Sequence, residues 1–385
     1  MGPVIMIAGI VAMIVIHEGG HFIAAKAFGM KATEAFFGFG PKLWSTTSGE
    51  TEYGVKAIPF GGYVRIIGMN PFEEIPPEDE SRTYRAAPFW KKTVVVLAGI
   101  LSHFVVAILL LWFVGTVWGI VVFDADGAPV RTTTVAAVSN VLPGTSEPSP
   151  ALVAGAEPGD VIIGTDGTQV TTWDEFGFFA ETHAGEDVVI TVNRDDQALD
   201  LHATLATFHR PVVVDGKYVR GPDGQPVTEE VGFFGVTPEA EREVIGPIAM
   251  IPKSATQFSE AVVLSVRGLW ELVIGFPSLV MSLFGGDDAI LETVRPISPI
   301  GLVRIAGPVE STIQLLALVN IFVGVLNFVP LYPLDGGHFA VAAYEKVTGR
   351  QPKVERLLPV AAAVFILLVS LGLMGVYLDI FKPLQ

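Results

Sequence analysis

Residues 3–26 read PVIMIAGIVAMIVIHEGGHFIAAK, an apolar run long enough to cross a bilayer that carries His17, Glu18 and His21 near its end. Ionisable side chains are expensive in hydrocarbon, so three of them within five residues point to function before packing. On a helix, residues four apart share a face. Both imidazoles can then reach one ion, with Glu18 beside it. The pattern H-E-x-x-H on a helix is that of a metal site with its own general base. The competing reading, two histidines packed in a core, is weakened by the apolar setting.

The rest of the chain agrees with a membrane protein. Of its 385 residues, 50% are hydrophobic and only 17% charged, with a mean hydropathy of +0.53. A soluble chain carries about 25% charged residues. Residues 3–25, 93–123, 312–334 and 357–381 form apolar blocks near the roughly 20 residues a bilayer requires, which predicts four transmembrane helices. The first block follows no basic region, as a signal peptide would; Lys26 and Lys31 come after it instead. Lys26, Lys31, Lys42, Arg82, Arg85, Lys91 and Lys92 lie between blocks one and two, and Lys346, Arg350, Lys353 and Arg356 between three and four. The positive-inside rule puts both connections in the cytoplasm and residues 124–311 with both termini outside.

No cysteine is present, so any metal is held by imidazole and carboxylate and there is no disulfide. A net charge of −16 argues against nucleic acid as a partner. Acidic runs such as Glu186-Asp187 and Asp287-Asp288 read as a solvated domain surface, with a docking face for basic substrates as the alternative.

Between the blocks the patterning changes. Val188–Val192 and Leu199–Leu205 alternate like strands, with turn signals at Pro158-Gly159-Asp160 and Asp166-Gly167, so 130–208 reads as a small β-rich domain. Residues 211–232, with Gly216, Gly221, Pro222, Gly224 and Pro226, read as a loop or hairpin. Residues 245–285 carry apolar residues at helical spacing, Trp270, Phe276 and Phe284 among them. They read as amphipathic helices, either at the membrane surface or packed on the β-rich domain. Residues 35–68 mix aromatic and β-branched residues with glycines, and Thr51–Pro59 alternates like a strand. Such backbone is tolerated at membrane depth only where protein or a water-filled cavity covers it, which predicts a hairpin dipping in beside the metal.

A catalytic zinc needs a third protein ligand and one open position. The comparable carboxylate is Asp335, in the stretch NFVPLYPLDGGH from Asn327 to His338. It lies at the cytoplasmic end of the third block, at the depth predicted for His17 and His21. A turn residue beside Gly336-Gly337 is the other reading. His338 reads as a loop residue, since His17, His21 and Asp335 already leave one position for water.

HEGGH and NFVPLYPLDGG, with GFGPKLWS and TEYGVKAIPFGGYVRIIGM between them, resemble the site-2 proteases, most closely the bacterial regulator of sigma-E protease group in its short actinobacterial form. The resemblance implies a polytopic α-helical membrane protein: four transmembrane helices, a membrane re-entrant β-hairpin and an extracytoplasmic PDZ-like α+β domain. Its segments would be 1–34, with HExxH; 35–68, the hairpin; 69–92, a cytoplasmic loop; 93–123, the second span; and 124–210, PDZ-like. Residues 211–311 would link to the third span at 312–338, with a cytoplasmic loop at 339–356 and the fourth span at 357–385.

It also implies Zn2+ on His17, His21 and Asp335, with Glu18 as the catalytic base. Substrate contacts fall to Asn327 and to the hairpin residues Gly61, Gly62, Tyr53 and Val55. The implied substrates are single-span proteins such as anti-sigma factors shortened by an earlier protease, and remnant signal peptides. The lipid bilayer is the other partner. One departure stands out. Where the family often shows Ala-Gly-Pro-x-x-Asn, this chain has Ala98-Gly99-Ile100-Leu101-Ser102-His103. His103 reads either as a histidine bonded to a neighbouring helix or as a supporting partner of Asp335 or Glu18.

A substrate helix must be unwound before hydrolysis, because its carbonyls are bonded within it. An edge strand at 50–60 could receive the unwound segment by β-addition. Two other functions compete: a catalytically inactive PDZ scaffold with a structural metal, which would need no Glu18, and a metal or proton transporter. Transporters often carry paired internal repeats, and no second copy of HEGGH or of the Asp335-Gly336-Gly337 segment occurs.

Overall fold

The chain forms two units, residues 1–118 with 245–385 and residues 119–244, in a computed structural model that describes residues 1–70, 73–143, 145–214, 217–218, 227–283, 295–350 and 354–382. Gly216, Gly221, Pro222, Gly224, Pro226, Phe284, Asp287-Asp288 and Lys353 lie outside the described residues.

In the first unit, α1 (Gly2–Ala27) is followed by β1 (Ala32–Ser48), β2 (Thr51–Ile66) and α2 (Phe89–Val117). After the second unit come α5 (Pro247–Leu283), α6 (Pro299–Ile305), α7 (Val309–Phe328), α8 (Asp335–Thr348) and α9 (Val354–Phe381). Among the described residues, five helices are long and apolar enough to cross a membrane: α1, α2, α5 over Pro247–Met281, α7, and α9 over Leu357–Phe381. Four of these coincide with the apolar blocks of the sequence. The fifth, α5, is a single helix of 37 residues where separate amphipathic helices were expected. It runs through Pro252 and Pro277, losing a backbone hydrogen bond at each without ending.

Small residues bring the helices together. A Cβ on Gly20 of α1 would lie 2.6 Å from Ala98 O of α2, and one on Gly324 of α7 2.5 Å from the Phe104 ring. In lipid, apolar burial gives helices little reason to associate, so close backbone approach supplies the dispersion that does. Ala107 and Leu111 of α2, Ala261 of α5, and Ala317, Ile321 and Val325 of α7 form the seam between those helices.

β1 and β2 each bend back on themselves, so two strands make a four-stranded sheet in the order 44–48, 51–55, 34–37, 62–66. Gly38 and Gly40 bend β1 and Gly61 bends β2, all at positive φ that a side chain would resist. The β structure expected over 35–68 is therefore present, but its outer strands are 44–48 and 62–66, and 51–55 lies inside the sheet. Tyr53 and Val55 sit opposite Thr46 and Trp44 on one side and Ala35 and Phe37 on the other. Residues 62–66 pair only with 32–37 among the described residues. The alternation at 51–59 marks a strand, and alternation alone does not tell an inner strand from an edge one.

In the second unit, Val236–Ala240, Arg131–Val138, Val161–Thr165, Asp187–Arg194 and Gln197–Thr204 form one sheet in that order. It is packed on α3 (Pro150–Ala154) and α4 (Trp173–Thr182), around a core that includes Ile162, Phe176, Ile190 and Leu205. A capping box between Thr172 and Glu175 starts α4. Both expected strands are present, with Val188 opposite Ala203 and Val192 opposite Leu199. Ala206–Pro211 and Thr228–Phe233 pair as the two arms of a hairpin.

Candidate metal centre

Two prolines and two glycines place Asp335. α7 ends at Phe328, because Pro330 has no amide hydrogen to donate and holds Val329 in extended backbone. Leu334, in extended backbone directly after Pro333, is the N-cap of α8, and Asp335 is the first residue of that helix. The span expected over 312–338 is thus two helices joined by a sharp connection. A carboxylate there is favoured by the helix dipole and free to face outward from the helix end. A Cβ on Gly336 would lie 2.4 Å from Val329 O, and one on Gly337 2.5 Å from Tyr332 N. Only glycine lets the connection fold so closely against the first turn of α8.

His17 and His21 stand one turn apart on α1 and meet Asp335 across the sequence. His17 Nε2 and His21 Nε2 are 3.3 Å apart. Asp335 Oδ2 lies 3.2 Å from His21 Nε2 and 3.4 Å from His17 Nε2. Among the described residues this is the one cluster of three His, Cys, Asp or Glu donors placed to hold a metal. Ligand bonds of about 2.0 Å in tetrahedral array put donor atoms about 3.3 Å apart, which is the size of this triangle. Two imidazoles and one carboxylate also match the donor chemistry of Zn2+ and leave a fourth position.

Hydrogen bonding orients the donors. His21 Nδ1 donates to Val95 O at 2.8 Å, which leaves the Nε2 lone pair facing the triangle. His21 is 6% exposed. A Cβ on Gly99 of α2 would come within 2.2 Å of His21 Nε2, so α2 lies against the donor nitrogen itself.

His103 is buried on α2 and stacks on the His17 ring at 4.7 Å with planes 29° apart. Its Nδ1 donates to Asn320 Oδ1 at 3.2 Å, and Asn320 in turn donates to Leu316 O. His103 is thus the histidine bonded to a neighbouring helix, and its ring contact is with His17 rather than with Asp335 or Glu18, the partners expected in the other reading. Asn320 was missed by the sequence reading. Its signal was there, an amide in the middle of an apolar block. Lys92 and Glu345, paired at 2.7 Å between α2 and α8, were also missed, since nothing in their spacing brings them together.

Glu18 stands beside the triad and faces β2. A Cβ on Gly62 would lie 3.3 Å from Glu18 Cγ. Glu18, Tyr53 and Gly62 line one pocket. Gly61 instead lies against the Phe39 ring, and Val55 is held in the sheet between Phe37 and Trp44; neither lines that pocket. Asn327 is half-buried at the penultimate position of α7. His338 is on α8, not in a loop, and bonds the Tyr332 hydroxyl at 2.9 Å.

The profile of Peptidase family M50 matches residues 5–371. Zinc metalloprotease Rip1 of Mycobacterium tuberculosis is 31% identical over 406 aligned positions, covering 100% of this chain and 98% of that protein. Rip1 of Mycolicibacterium smegmatis is 32% identical over 90% of this chain and 86% of its own length. A putative zinc metalloprotease of Brucella suis is 28% identical over 91% of this chain and 87% of its own. With the donor triangle joining the apolar α1 to the start of α8, the chain belongs to peptidase family M50, the site-2 proteases, and is a zinc metalloprotease.

Proposed function

We propose that this protease hydrolyses peptide bonds within the transmembrane segments of single-span proteins, with His17, His21 and Asp335 as zinc ligands and Glu18 as the general base. The observation that carries the reading is the donor triangle with Glu18 at its side, opening onto the sheet formed by β1 and β2. Zn2+ held there supplies Lewis acidity at the scissile carbonyl and an acidified water. Glu18 takes the proton of the attacking water and returns it to the leaving amine. Asn327 and the β2 backbone hold the substrate.

The substrate segment, once unwound, pairs with the outer strand at 62–66, the one beside Glu18 and Tyr332, which replaces the hydrogen bonds its helix has lost. A cleft of about 860 Å3 supports this reading, since it is lined by Tyr63–Ile66, Tyr332 and the first turns of α9 at Leu357 and Ala361. It leaves the edge strand open to a chain arriving from the side.

The distribution of Lys and Arg supports a cytoplasmic-membrane protein with the active site near the cytoplasmic face and residues 124–210 outside, as a PDZ-like domain that filters or binds shortened substrates. β1 and β2 then form the re-entrant element. Anti-sigma factors after a first cleavage, and remnant signal peptides, are the substrates this arrangement suits.

The test is cleavage of a model single-span substrate in detergent by wild type, Glu18→Gln and Asp335→Ala, with zinc content measured in parallel. Wild type cuts; Glu18→Gln keeps zinc and loses about 100- to 10,000-fold in rate; Asp335→Ala loses zinc. Cleavage by Glu18→Gln at the wild-type rate would remove Glu18 from the mechanism. Full zinc with no cleavage of trimmed or intact substrate would favour the inactive scaffold.

A further inference from the structure

Beside Glu18, α1 and the β1–β2 sheet enclose a cavity of about 370 Å3 whose walls are mostly apolar. Glu18 forms part of one wall. Val15 and Phe22 of α1 and the rings of Trp44, Tyr53 and Tyr63 form much of the rest. Trp44 is 60% and Val15 52% exposed, so the rings and the helix face stand ready to be covered.

Glycines let the walls of the cavity approach closely. A Cβ on Gly54 would lie 2.3 Å from Trp44 O and 2.6 Å from the Phe36 ring, and one on Gly62 would press on Ile14 at 3.1 Å and on Glu18. Gly62 is thus the threshold between the carboxylate and the cavity. Across the same strand the walls change character, with Arg65 paired to Glu34 and Glu73.

We infer that this cavity is a specificity pocket, which takes a large apolar side chain, aromatic or long aliphatic, from one of the two substrate residues flanking the scissile bond. The inference rests on the proposed roles of Glu18 and the zinc ligands. A peptide bond held within reach of Glu18 has its flanking residues within a few ångströms of the same carboxylate. A side chain projecting from one of them meets rings and aliphatic carbon, Glu18 being the one ionisable carboxylate among the lining residues. Glu18 in the wall also ties the occupant to the reacting bond, where a lipid chain would have no reason to stop. The pocket therefore selects the bond within an apolar segment, a choice that a uniform stretch of leucine and alanine does not otherwise offer.

The experiment uses the full-length zinc enzyme in detergent and a series of single-span substrates. In each substrate the two residues flanking the mapped cleavage point are changed one at a time to Ala, Leu, Phe or Asp. At one flank, Leu or Phe raises kcat/KM over Ala by at least about tenfold, and Asp lowers it further. Filling the pocket with Val15→Phe shrinks the ratio of the Phe substrate to the Ala substrate by about tenfold. A ratio is read, so a general loss of activity does not mimic it. Equal rates for Ala, Leu and Phe at both flanks in wild type, with cleavage still abolished by chelation and by Glu18→Gln, overturn the pocket alone. Cleavage that survives both chelation and Glu18→Gln overturns the proposed site beneath it. A wild-type preference that Val15→Phe leaves unchanged assigns selection elsewhere and the cavity to lipid.

Discussion

Gly99 on α2 faces His21 so directly that a single methyl group on it would lie 2.2 Å from the imidazole Nε2. The metal centre is therefore built by an absence. α2 contributes no donor to the triangle, yet a missing side chain there lets His21 turn its Nε2 toward His17 and Asp335. Its Nδ1 meanwhile stays on Val95, also of α2. One helix thus orients the ligand through a carbonyl and makes room for it through a glycine.

Gly99→Ala tests that relationship against intrinsic propensity. Alanine in a helix interior is favoured over glycine by about 1 kcal/mol, so propensity alone predicts a gain. The expected outcome is the reverse: zinc content falls below half and cleavage drops roughly tenfold or more, since His21 must move to admit the methyl group. Metal analysis of the purified variant checks it. Full zinc occupancy would mean that α1 and α2 are less closely apposed than described.

His103→Ala removes the ring stacked on His17 and the donor to Asn320. Groups that hold metal ligands without binding the metal are worth about 10- to 100-fold in affinity. Zinc dissociation, followed with a competing chelator, should be tighter in wild type by that factor. His103→Asn, which can still bond Asn320, should recover part of it. Equal affinities in all three proteins would reduce His103 to helix packing.

Lys92 is 7% exposed and pairs with Glu345 at 2.7 Å, tying α2 to the helix that begins with Asp335. Removing one partner of a buried pair strands the other charge, which costs about 3–5 kcal/mol when burial is complete. Glu345 keeps some contact with solvent, so about 2–4 kcal/mol is expected for Lys92→Met. The double variant Lys92→Met with Glu345→Met should regain most of it. Thermal unfolding in detergent measures both. A double variant no better than the single one would show that the pair is not what couples α2 to α8.

In the second unit, burial pushes the Asp160 carboxyl up. The Arg194 guanidinium at 2.6 and 2.7 Å outweighs this, together with the Glu157 amide, and holds the carboxyl below its usual value of 3.8. A depressed folded-state value means that the stabilisation is complete above the unfolded value and is lost as pH falls through the folded one. Amide exchange over residues 131–204 should therefore be unchanged from pH 7 to about 5 after correction for intrinsic rates, and accelerate below about 4. Asp160→Asn should accelerate it at neutral pH as well. A variant as protected as wild type at pH 7 would show the pair to be neutral.

Much of the site was legible because it is local. His17, Glu18 and His21 lie within five residues, and helical periodicity alone puts the two imidazoles on one face. Asp335 was legible as an ionisable residue beside an apolar block. Its position at the start of a separate helix was written in Pro330 and Pro333, whose helix-breaking effect the reading of 312–338 as one span passed over. The free edge of the sheet was misplaced for a different reason. Strand alternation at 51–59 reports which residues face which side, and says nothing about how many neighbours the strand has.

By itself the sequence determined the membrane class, the apolar blocks, the β character of 35–68 and the three ligand types, since each depends on residue type and spacing along a few turns of chain. Tertiary structure decided what depends on distance across the chain: the 3.2–3.4 Å triangle that joins α1 to the start of α8, the contact of Gly99 with His21, and the place of 62–66 at the side of the sheet with 51–55 inside it. It also decided that 247–283 is one helix. These rest on pairings between residues up to 314 positions apart, as with His21 and Asp335. A pattern along the chain fixes which faces are apolar, and only close packing fixes which faces meet.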